Sequence, residues 1–183
     1  FSNNGLVVSF TGLDGVGKTT TKDKLIEDSE KYFIKAKTRE FYWRPFLLPR
    51  PGYFVNNSVE PSEEYEKSGR RVYNESIKNT FLSYVKYFYY VLDFFLGRVK
   101  YLKSAKTGGL VIFDRYHFDN IIYPERFGFR VDKPLMCLID KYIIPQPDIL
   151  FYLTANTDEL YDRKKEISIN EIITQKKLYK EAM

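Results

Sequence analysis

The sequence predicts an α/β domain in which a parallel sheet is flanked by helices. Three short apolar runs, at 6–10, 110–113 and 149–153, have the length and composition of buried parallel strands. Stretches with helical spacing lie between these runs, and a glycine-rich turn follows the first run directly. With 183 residues, the chain is expected to form one domain over 1–183.

The glycine-rich turn at 12–20 fits the pattern G-x-x-x-x-G-K-[ST] of a phosphate-binding loop. A strand precedes it and a helix over 20–30 is predicted after it, so backbone N–H groups and the helix dipole converge at one point. A chance glycine-rich turn is the alternative, which the strand before it disfavours. The predicted nucleotide contacts are Gly12, Asp14, Gly15, Val16, Gly17, Lys18, Thr19 and Thr20.

The remaining elements follow from periodicity and from helix-breaking residues. A fourth, less clear strand is predicted around 35–42, and helices are predicted at 135–144 and 169–181. The segment 44–68 contains four prolines and is predicted to be a long connection over the site. A long helix over 81–103 is predicted from an apolar stripe formed by Phe81, Tyr84, Val85, Phe88, Val91, Leu92, Phe95 and Val99.

Composition narrows the class of protein. A formal net charge of +5 suits a small anionic ligand and does not call for nucleic acid. The single cysteine, Cys137, allows no internal disulfide and is expected to be a small core residue. The sequence has no signal peptide and no apolar run of about 18 residues, so a cytoplasmic protein without membrane insertion is expected.

A second polar cluster follows the apolar run at 110–113. Asp114, Arg115 and Tyr116 stand at the predicted carboxyl end of that strand. An acidic residue in this position, beside a phosphate loop, is typical of a Mg²⁺ contact, and the arginine fork suits phosphate oxygens. The alternative is an aspartate that caps a helix, followed by a surface arginine.

These motifs resemble those of the thymidylate kinase family. The run 10–20, including Asp14, is similar to the family's first signature, 114–116 is similar to its second, and 147–154 is similar to its Pro-Asp strand. The resemblance extends from residue 5 to about 180. It is closest to a divergent bacterial branch associated with surface-polysaccharide loci, through 43–45, 90–93 and 163–166. It implies a P-loop NTPase fold, a three-layer sandwich like that of nucleoside-monophosphate kinases.

The resemblance also implies a reaction, in which the γ-phosphoryl group of Mg-ATP passes to a nucleoside monophosphate of the dTMP type. Thr19 and Asp114 would bind Mg²⁺, and a short lid is expected near 163–168. Arg163 would reach the transferring group from that lid, although a surface helix arginine is the alternative. A homodimer, as in related kinases, is implied as well. The catalytic residues would be Lys18, Asp114, Arg115 and Arg163.

An acceptor-side region is expected near 44–100. Within it, Arg44 is preferred to Arg39 as the contact for the acceptor phosphate, with Trp43 as a flat surface beside it. The alternative is that Trp43 packs in the core and Arg44 pairs with an acidic neighbour. The residues predicted to contact the substrate are Asp14, Trp43, Arg44, Asp93, Arg115 and Tyr116.

One departure from the family pattern leaves the acceptor open. Asp93 is followed by Phe94, where the family usually has an arginine near the acceptor base. A kinase of a sugar or glycan phosphate is therefore an alternative, as is a non-catalytic nucleotide-binding module. His117 is expected to be structural or to contact the acceptor, since transfer between phosphates needs no strong general base.

Overall fold

A four-stranded parallel sheet organises the described part of the chain. The computed structural model describes residues 5–33, 38–49, 80–163 and 168–182. The strands are β1 (Leu6–Gly12), β2 (Arg39–Tyr42), β3 (Leu110–Asp114) and β4 (Ile149–Leu153), in the spatial order β2-β3-β1-β4. The predicted parallel sheet is therefore confirmed, including its fourth strand. Most of the predicted connection 44–68 lies outside the described residues.

Helices connect the strands. Three of them were not predicted from the sequence, namely the short helices that follow β3 and β4 and the 3₁₀ turn. The helices are α1 (Lys18–Ser29), α2 (Thr80–Lys106), α3 (His117–Ile122), α4 (Lys133–Tyr142), α5 (Thr157–Arg163) and α6 (Ile169–Ala182), with a 3₁₀ turn at Pro124–Phe127. Among the described residues, none of these helices is both long and apolar enough to cross a membrane.

Apolar side chains cover both faces of the sheet. On one face, Val8 and Ile112 pack with Leu25 of α1. On the other face, Val7 and Val111 pack with residues of α2 and α4. Because side chains alternate along a strand, neighbouring valines enter different layers. The predicted three-layer arrangement is confirmed, and it brings the carboxyl ends of the strands to one edge of the sheet.

Helix α2 buries a different face from the one that the apolar stripe marks. Tyr87, Tyr90, Phe94 and Tyr101 are buried, whereas much of the predicted stripe is exposed. The helix therefore has two apolar faces, and the aromatic one packs in the core. The exposed members of the stripe are Phe81, Val85, Phe88, Leu92, Phe95 and Val99.

Two further expectations about burial are wrong. The strand β4 was predicted to be buried, but Ile149, Leu150 and Phe151 are 38–39% exposed, because β4 is the edge of the described sheet. Cys137 was expected in the core, but it is exposed on α4. That helix turns Met136 and Ile139 inward instead, so the cysteine between them faces outward.

Candidate active site

The phosphate-binding loop lies between β1 and α1, where its motif predicts it. Gly12 has φ of 136°, and an added Cβ would come 2.3 Å from the Leu153 carbonyl oxygen, so only glycine fits beside β4. Gly17 adopts the left-handed conformation at the N-terminal end of α1, with φ of 91°. The first N–H groups of α1 have no partner within the helix, so they can bind an anion there.

Lys18 lies folded over its own loop. Its ammonium donates to the carbonyl oxygens of Gly12 (3.1 Å) and Leu13 (2.7 Å), and its Nζ is 3.9 Å from a carboxylate oxygen of Asp14. Burial lowers the pKa of Lys18 to about 7, and the nearby Arg115 guanidinium acts in the same direction. A polyphosphate would supply the negative charge that this buried ammonium needs.

Asp14 and Arg115 form an ion pair above the loop. The Arg115 NH2 nitrogen lies 2.5 Å from Asp14 Oδ1, and NH1 donates to the Gly12 carbonyl (3.3 Å). Arg115 has φ of 74°, a strained conformation that occurs often in functional sites. The two sequence motifs therefore meet at this pair, whose members are 101 residues apart in the chain.

Asp114 and Thr19 present oxygen atoms at the same edge of the sheet. The Oδ1 atom of Asp114 is buried and has no hydrogen-bond partner among the described residues. Thr19 lies in the first turn of α1 and is exposed. An unsatisfied carboxylate oxygen and a hydroxyl are suitable ligands for Mg²⁺, which also keeps water and phosphate oxygens. These two residues therefore fit the metal that the motifs predict.

Arg163 lies against the phosphate loop. It is the last residue of α5, and its NH1 donates to the Gly15 carbonyl at 3.1 Å. Its side chain is about half exposed, with Glu159 3.8 Å away, so it can move. The structure thus brings Arg163 to the loop, and 164–167 of the predicted lid lie outside the described residues.

Arg44 occupies the paired arrangement considered as the alternative. Its guanidinium is fully buried, and NH1 donates to Asp93 Oδ2 at 2.7 Å. The other oxygen of Asp93 accepts from the Leu48 backbone N–H at 2.6 Å, so Asp93 supports the segment after β2, and its contact with the substrate stays a prediction. The Nε and NH2 atoms of Arg44 have no hydrogen-bond partner among the described residues.

Trp43 is partly buried beside the arginine. Its ring stacks on Phe127 at 4.7 Å, and its Nε1 donates to Asn120. Its backbone N–H donates to the Asp114 carbonyl at 2.9 Å, which fixes it at the carboxyl end of β3. Arg39, the rival to Arg44, lies at the opposite end of β2, where it pairs with Val111.

Tyr116 of the second motif and His117, which follows it, have packing roles. Tyr116 is buried against Phe94 and Phe113, and its hydroxyl donates to the Pro145 carbonyl. Tyr116 thus has a packing role, and its contact with the substrate stays a prediction. His117 is fully buried between Asp140 (2.7 Å) and the Tyr87 hydroxyl (3.0 Å), which agrees with its structural interpretation.

Sequence reasoning missed Asp119, which touches the site. This carboxylate is buried, and it accepts hydrogen bonds from Arg115 (3.1 Å), Thr11 (2.8 Å) and Tyr179 (2.6 Å). The available signal was its place as the third residue of α3, where an acidic side chain commonly accepts from the backbone N–H of the residue before the helix, here Tyr116. Its other partners come from distant parts of the chain.

Comparison with known proteins gives one family. A family model described as thymidylate kinase matches residues 78–183, which is more than half of the chain. A probable thymidylate kinase from Staphylothermus marinus is 27% identical over 168 residues, covering 91% of this chain and 71% of that protein. Another from Archaeoglobus fulgidus is 25% identical over 167 residues, covering 88% and 70%.

Solved structures share the fold. The thymidylate kinase of Ehrlichia chaffeensis superposes with a TM-score of 0.55 and 21% identity, over 97% of this chain and 88% of that one. The thymidylate kinase of Candida albicans gives a TM-score of 0.60 and 18% identity, over 98% and 78%. The architecture is thus that of P-loop kinases.

Proposed function

This chain belongs to the thymidylate kinase family, and we propose that it transfers the γ-phosphoryl group of Mg-ATP to a nucleoside monophosphate of the dTMP type. The observation that carries the proposal is the convergence of three cations on one loop. Lys18, Arg115 and Arg163 each donate to a carbonyl oxygen of residues 12–15. Phosphoryl transfer is catalysed mainly by positioning and by charges of this kind.

The donor phosphates would lie on the loop itself. Lys18 would exchange its two carbonyl partners for phosphate oxygens, and the N–H groups at the start of α1 would bind the same anion. Thr19 and Asp114 would hold Mg²⁺, which when bound neutralises charge on the phosphates. The Oδ1 atom of Asp114, which no described residue hydrogen-bonds, supports this role.

In the reaction, an oxygen of the acceptor phosphate forms a bond to the γ-phosphorus atom. The bond from that phosphorus atom to the β,γ-bridging oxygen breaks, and its electron pair stays on ADP. An ionised acceptor phosphate is already a nucleophile, so the site needs no general base. Arg115 and Arg163 would stabilise the charge on the transferring group from two sides, with Asp14 orienting Arg115.

The acceptor would lie near the carboxyl end of β3. The backbone N–H of Trp43 donates to the Asp114 carbonyl there. Arg44 follows Trp43 in the chain, and its Nε and NH2 atoms, which have no partner among the described residues, could donate to the acceptor phosphate. Phe94 is fully buried at the position where the family usually has an arginine near the acceptor base. A sugar or glycan phosphate is therefore the second candidate acceptor.

A panel assay separates these acceptors. ADP release from Mg-ATP would be measured with dTMP, dUMP, other nucleoside monophosphates and sugar phosphates. The proposal expects turnover with dTMP or a related deoxynucleotide that exceeds every sugar phosphate. Turnover with a sugar phosphate alone would establish the second candidate, and ADP release that no acceptor accelerates would contradict both.

We also propose that two copies of the chain associate through helix α2. The exposed stripe of that helix, Phe81, Val85, Phe88, Leu92, Phe95 and Val99, has alternating spacings of four and three residues. This is the spacing of a helix seam that packs against another helix. A second copy would offer the same stripe, as two-fold symmetry requires.

A further inference from the structure

The carboxylate of Asp119 is buried next to the candidate site. Its side chain is 1% exposed, and its Oδ2 atom accepts from the Tyr116 backbone N–H at 3.0 Å. Its Oδ1 atom accepts from Thr11, Arg115 and Tyr179. Hydrogen bonds from four residues therefore hold the carboxylate in one position.

Arg115 forms ion pairs with two carboxylates, one at each terminal nitrogen of its guanidinium. NH1 lies 3.1 Å from Asp119 Oδ1, and NH2 lies 2.5 Å from Asp14 Oδ1. A planar guanidinium bound at both terminal nitrogens has its plane fixed. Asp14 lies in the phosphate-binding loop, whereas Asp119 belongs to α3, so Asp119 supports Arg115 from outside the loop.

Tyr179 extends this support to the last helix. Its hydroxyl donates to Asp119 over 2.6 Å, and its ring stacks on Tyr152 of β4 at a centroid distance of 5.2 Å. Tyr179 also belongs to the apolar cluster that contains Leu13 and Leu160. Tyr179 therefore links helix α6 to Asp119, the carboxylate that pairs with Arg115.

We propose that Asp119 is a positioning residue for Arg115 and that Tyr179 couples helix α6 to that arginine. The proposal rests on the proposed phosphoryl transfer, in which Arg115 must meet the transferring group. Orientation errors of a catalytic group lower the rate sharply while leaving ground-state binding nearly intact. Loss of the Tyr179 hydroxyl would therefore lower kcat without raising the KM for ATP.

Tyr179→Phe removes only the hydroxyl and keeps the ring stacked on Tyr152. We expect kcat to fall about three- to tenfold, which corresponds to one hydrogen bond, with an unchanged KM for ATP. Tyr152→Phe removes the equivalent atom from the stacked partner and is the matched control, expected to keep the wild-type kcat. A rise in KM with no fall in kcat would overturn the proposal.

A double-variant comparison shows whether the effect passes through the arginine. In an Arg115→Lys background, Tyr179→Phe should change the residual rate by less than about twofold, because the coupled group is gone. The same factor in both backgrounds would mean that Tyr179 acts elsewhere, and the coupling would be wrong. Asp119→Asn should lower kcat more than Tyr179→Phe, since it weakens the ion pair itself.

An activity-independent readout separates this proposal from the proposed function. The ¹⁵N–¹H signals of the Arg115 guanidinium, assigned by their loss in Arg115→Lys, should shift or broaden in Tyr179→Phe and stay unchanged in Tyr152→Phe. Unchanged signals in Tyr179→Phe would overturn the coupling even in an active kinase. If no acceptor is phosphorylated, the function fails, while these signals still decide whether Tyr179 controls Arg115.

Discussion

Lys18 is a buried cation in the phosphate-binding loop, suited to bind a negatively charged phosphate. Burial lowers the pKa of its ammonium to about 7; the ammonium donates to the carbonyl oxygens of Gly12 and Leu13 and lies 3.9 Å from a carboxylate oxygen of Asp14. Isolated charges in a protein interior are unfavourable, and a phosphate ligand would relieve this. The local sequence predicts this residue well, because the glycine spacing alone determines the backbone of the loop.

Replacing Lys18 should abolish most of the catalysis. Lys18→Ala removes a charge-assisted contact to the donor phosphates, so we expect kcat/KM to fall by about 10²–10³-fold, as when a single oxyanion donor is lost. Steady-state ADP release measures the change. Lys24→Ala, an exposed lysine on the same helix, is the matched control. Normal turnover in Lys18→Ala would contradict the assignment of the loop.

Arg163 should act on the transition state. Its side chain is half exposed and donates to the Gly15 carbonyl at the edge of the loop, so it can reach the transferring group as charge develops there. Arg163→Ala should therefore lower kcat by about tenfold or more with a nearly unchanged KM for ATP.

Glu159→Gln is the control for Arg163. It removes the exposed carboxylate near that arginine, and an exposed ion pair contributes little energy. We expect wild-type kcat in this variant. If Arg163→Ala raises only the KM, the arginine is a ground-state clamp.

At the scale of elements, Arg44 and Asp93 join two segments that the sequence keeps 49 residues apart. The type of each residue was predicted to matter, but their pairing was not preferred, because it depends on how α2 packs on the segment after β2. Local patterns determine a loop or a helix and carry little information about which distant charges meet. The contacts of Asp119 with Thr11 and Tyr179 escaped prediction for the same reason.

Arg44→Lys tests whether the buried pair also serves the acceptor. Lysine keeps a charge for Asp93 but lacks the two free nitrogens, so acceptor affinity should fall about tenfold while ATP affinity is unchanged. Isothermal titration calorimetry measures both. Arg39→Lys, at the far end of β2, is the matched control. Equal acceptor affinities in wild type and Arg44→Lys would remove Arg44 from the site.

Lys86 makes the stability of α2 depend on pH. It donates to the Phe127 carbonyl at 2.8 Å, and burial lowers its pKa to about 8. The unfolded chain binds this proton up to about pH 10.4, so the unfolded state holds more protons between pH 8 and 10.4. Stability therefore rises with pH in that window, and below pH 8 both states are protonated and the contribution is constant.

Lys86→Met should flatten this dependence. The free energy of unfolding of the wild type, relative to Lys86→Met, should rise by about 1–2 kcal/mol from pH 7 to pH 9.5. Urea unfolding at several pH values measures it. Lys103→Met, an exposed lysine on the same helix, is the control and should follow the wild type. Parallel profiles of wild type and Lys86→Met would show that this lysine does not titrate in the window.

At the scale of the whole molecule, the parallel sheet and its layers were predictable from the sequence, and the burial of individual side chains was not. Apolar runs and the phosphate loop predict a parallel sheet with helices on both sides, because parallel strands need covered faces. Which face of a helix becomes core is decided by its neighbours. In α2 the tyrosines, which are weakly apolar, fill the core, and the more apolar stripe remains outside.

The exposed apolar stripe of α2 predicts that two copies of the chain form a dimer through this helix. Six large apolar side chains lie exposed along one helix, from Phe81 at 72% to Val99 at 77% exposure. Monomeric proteins rarely expose a continuous apolar patch of this length. Two antiparallel or parallel copies of α2 would remove it from water, and a two-fold axis lets each copy bury the same residues.

Sedimentation equilibrium tests the dimer directly. The wild type, whose chain mass is 21.7 kDa, should sediment with twice that mass at micromolar concentration. Leu92→Glu combined with Phe95→Glu places like charges in the centre of the seam, so it should yield a monomer with an unchanged circular dichroism spectrum. Lys24→Glu introduces the same charge on the exposed surface of α1, away from α2, and should remain dimeric. A monomeric wild type, or a dimer that survives both glutamates, would show that the exposed stripe of α2 is not the interface.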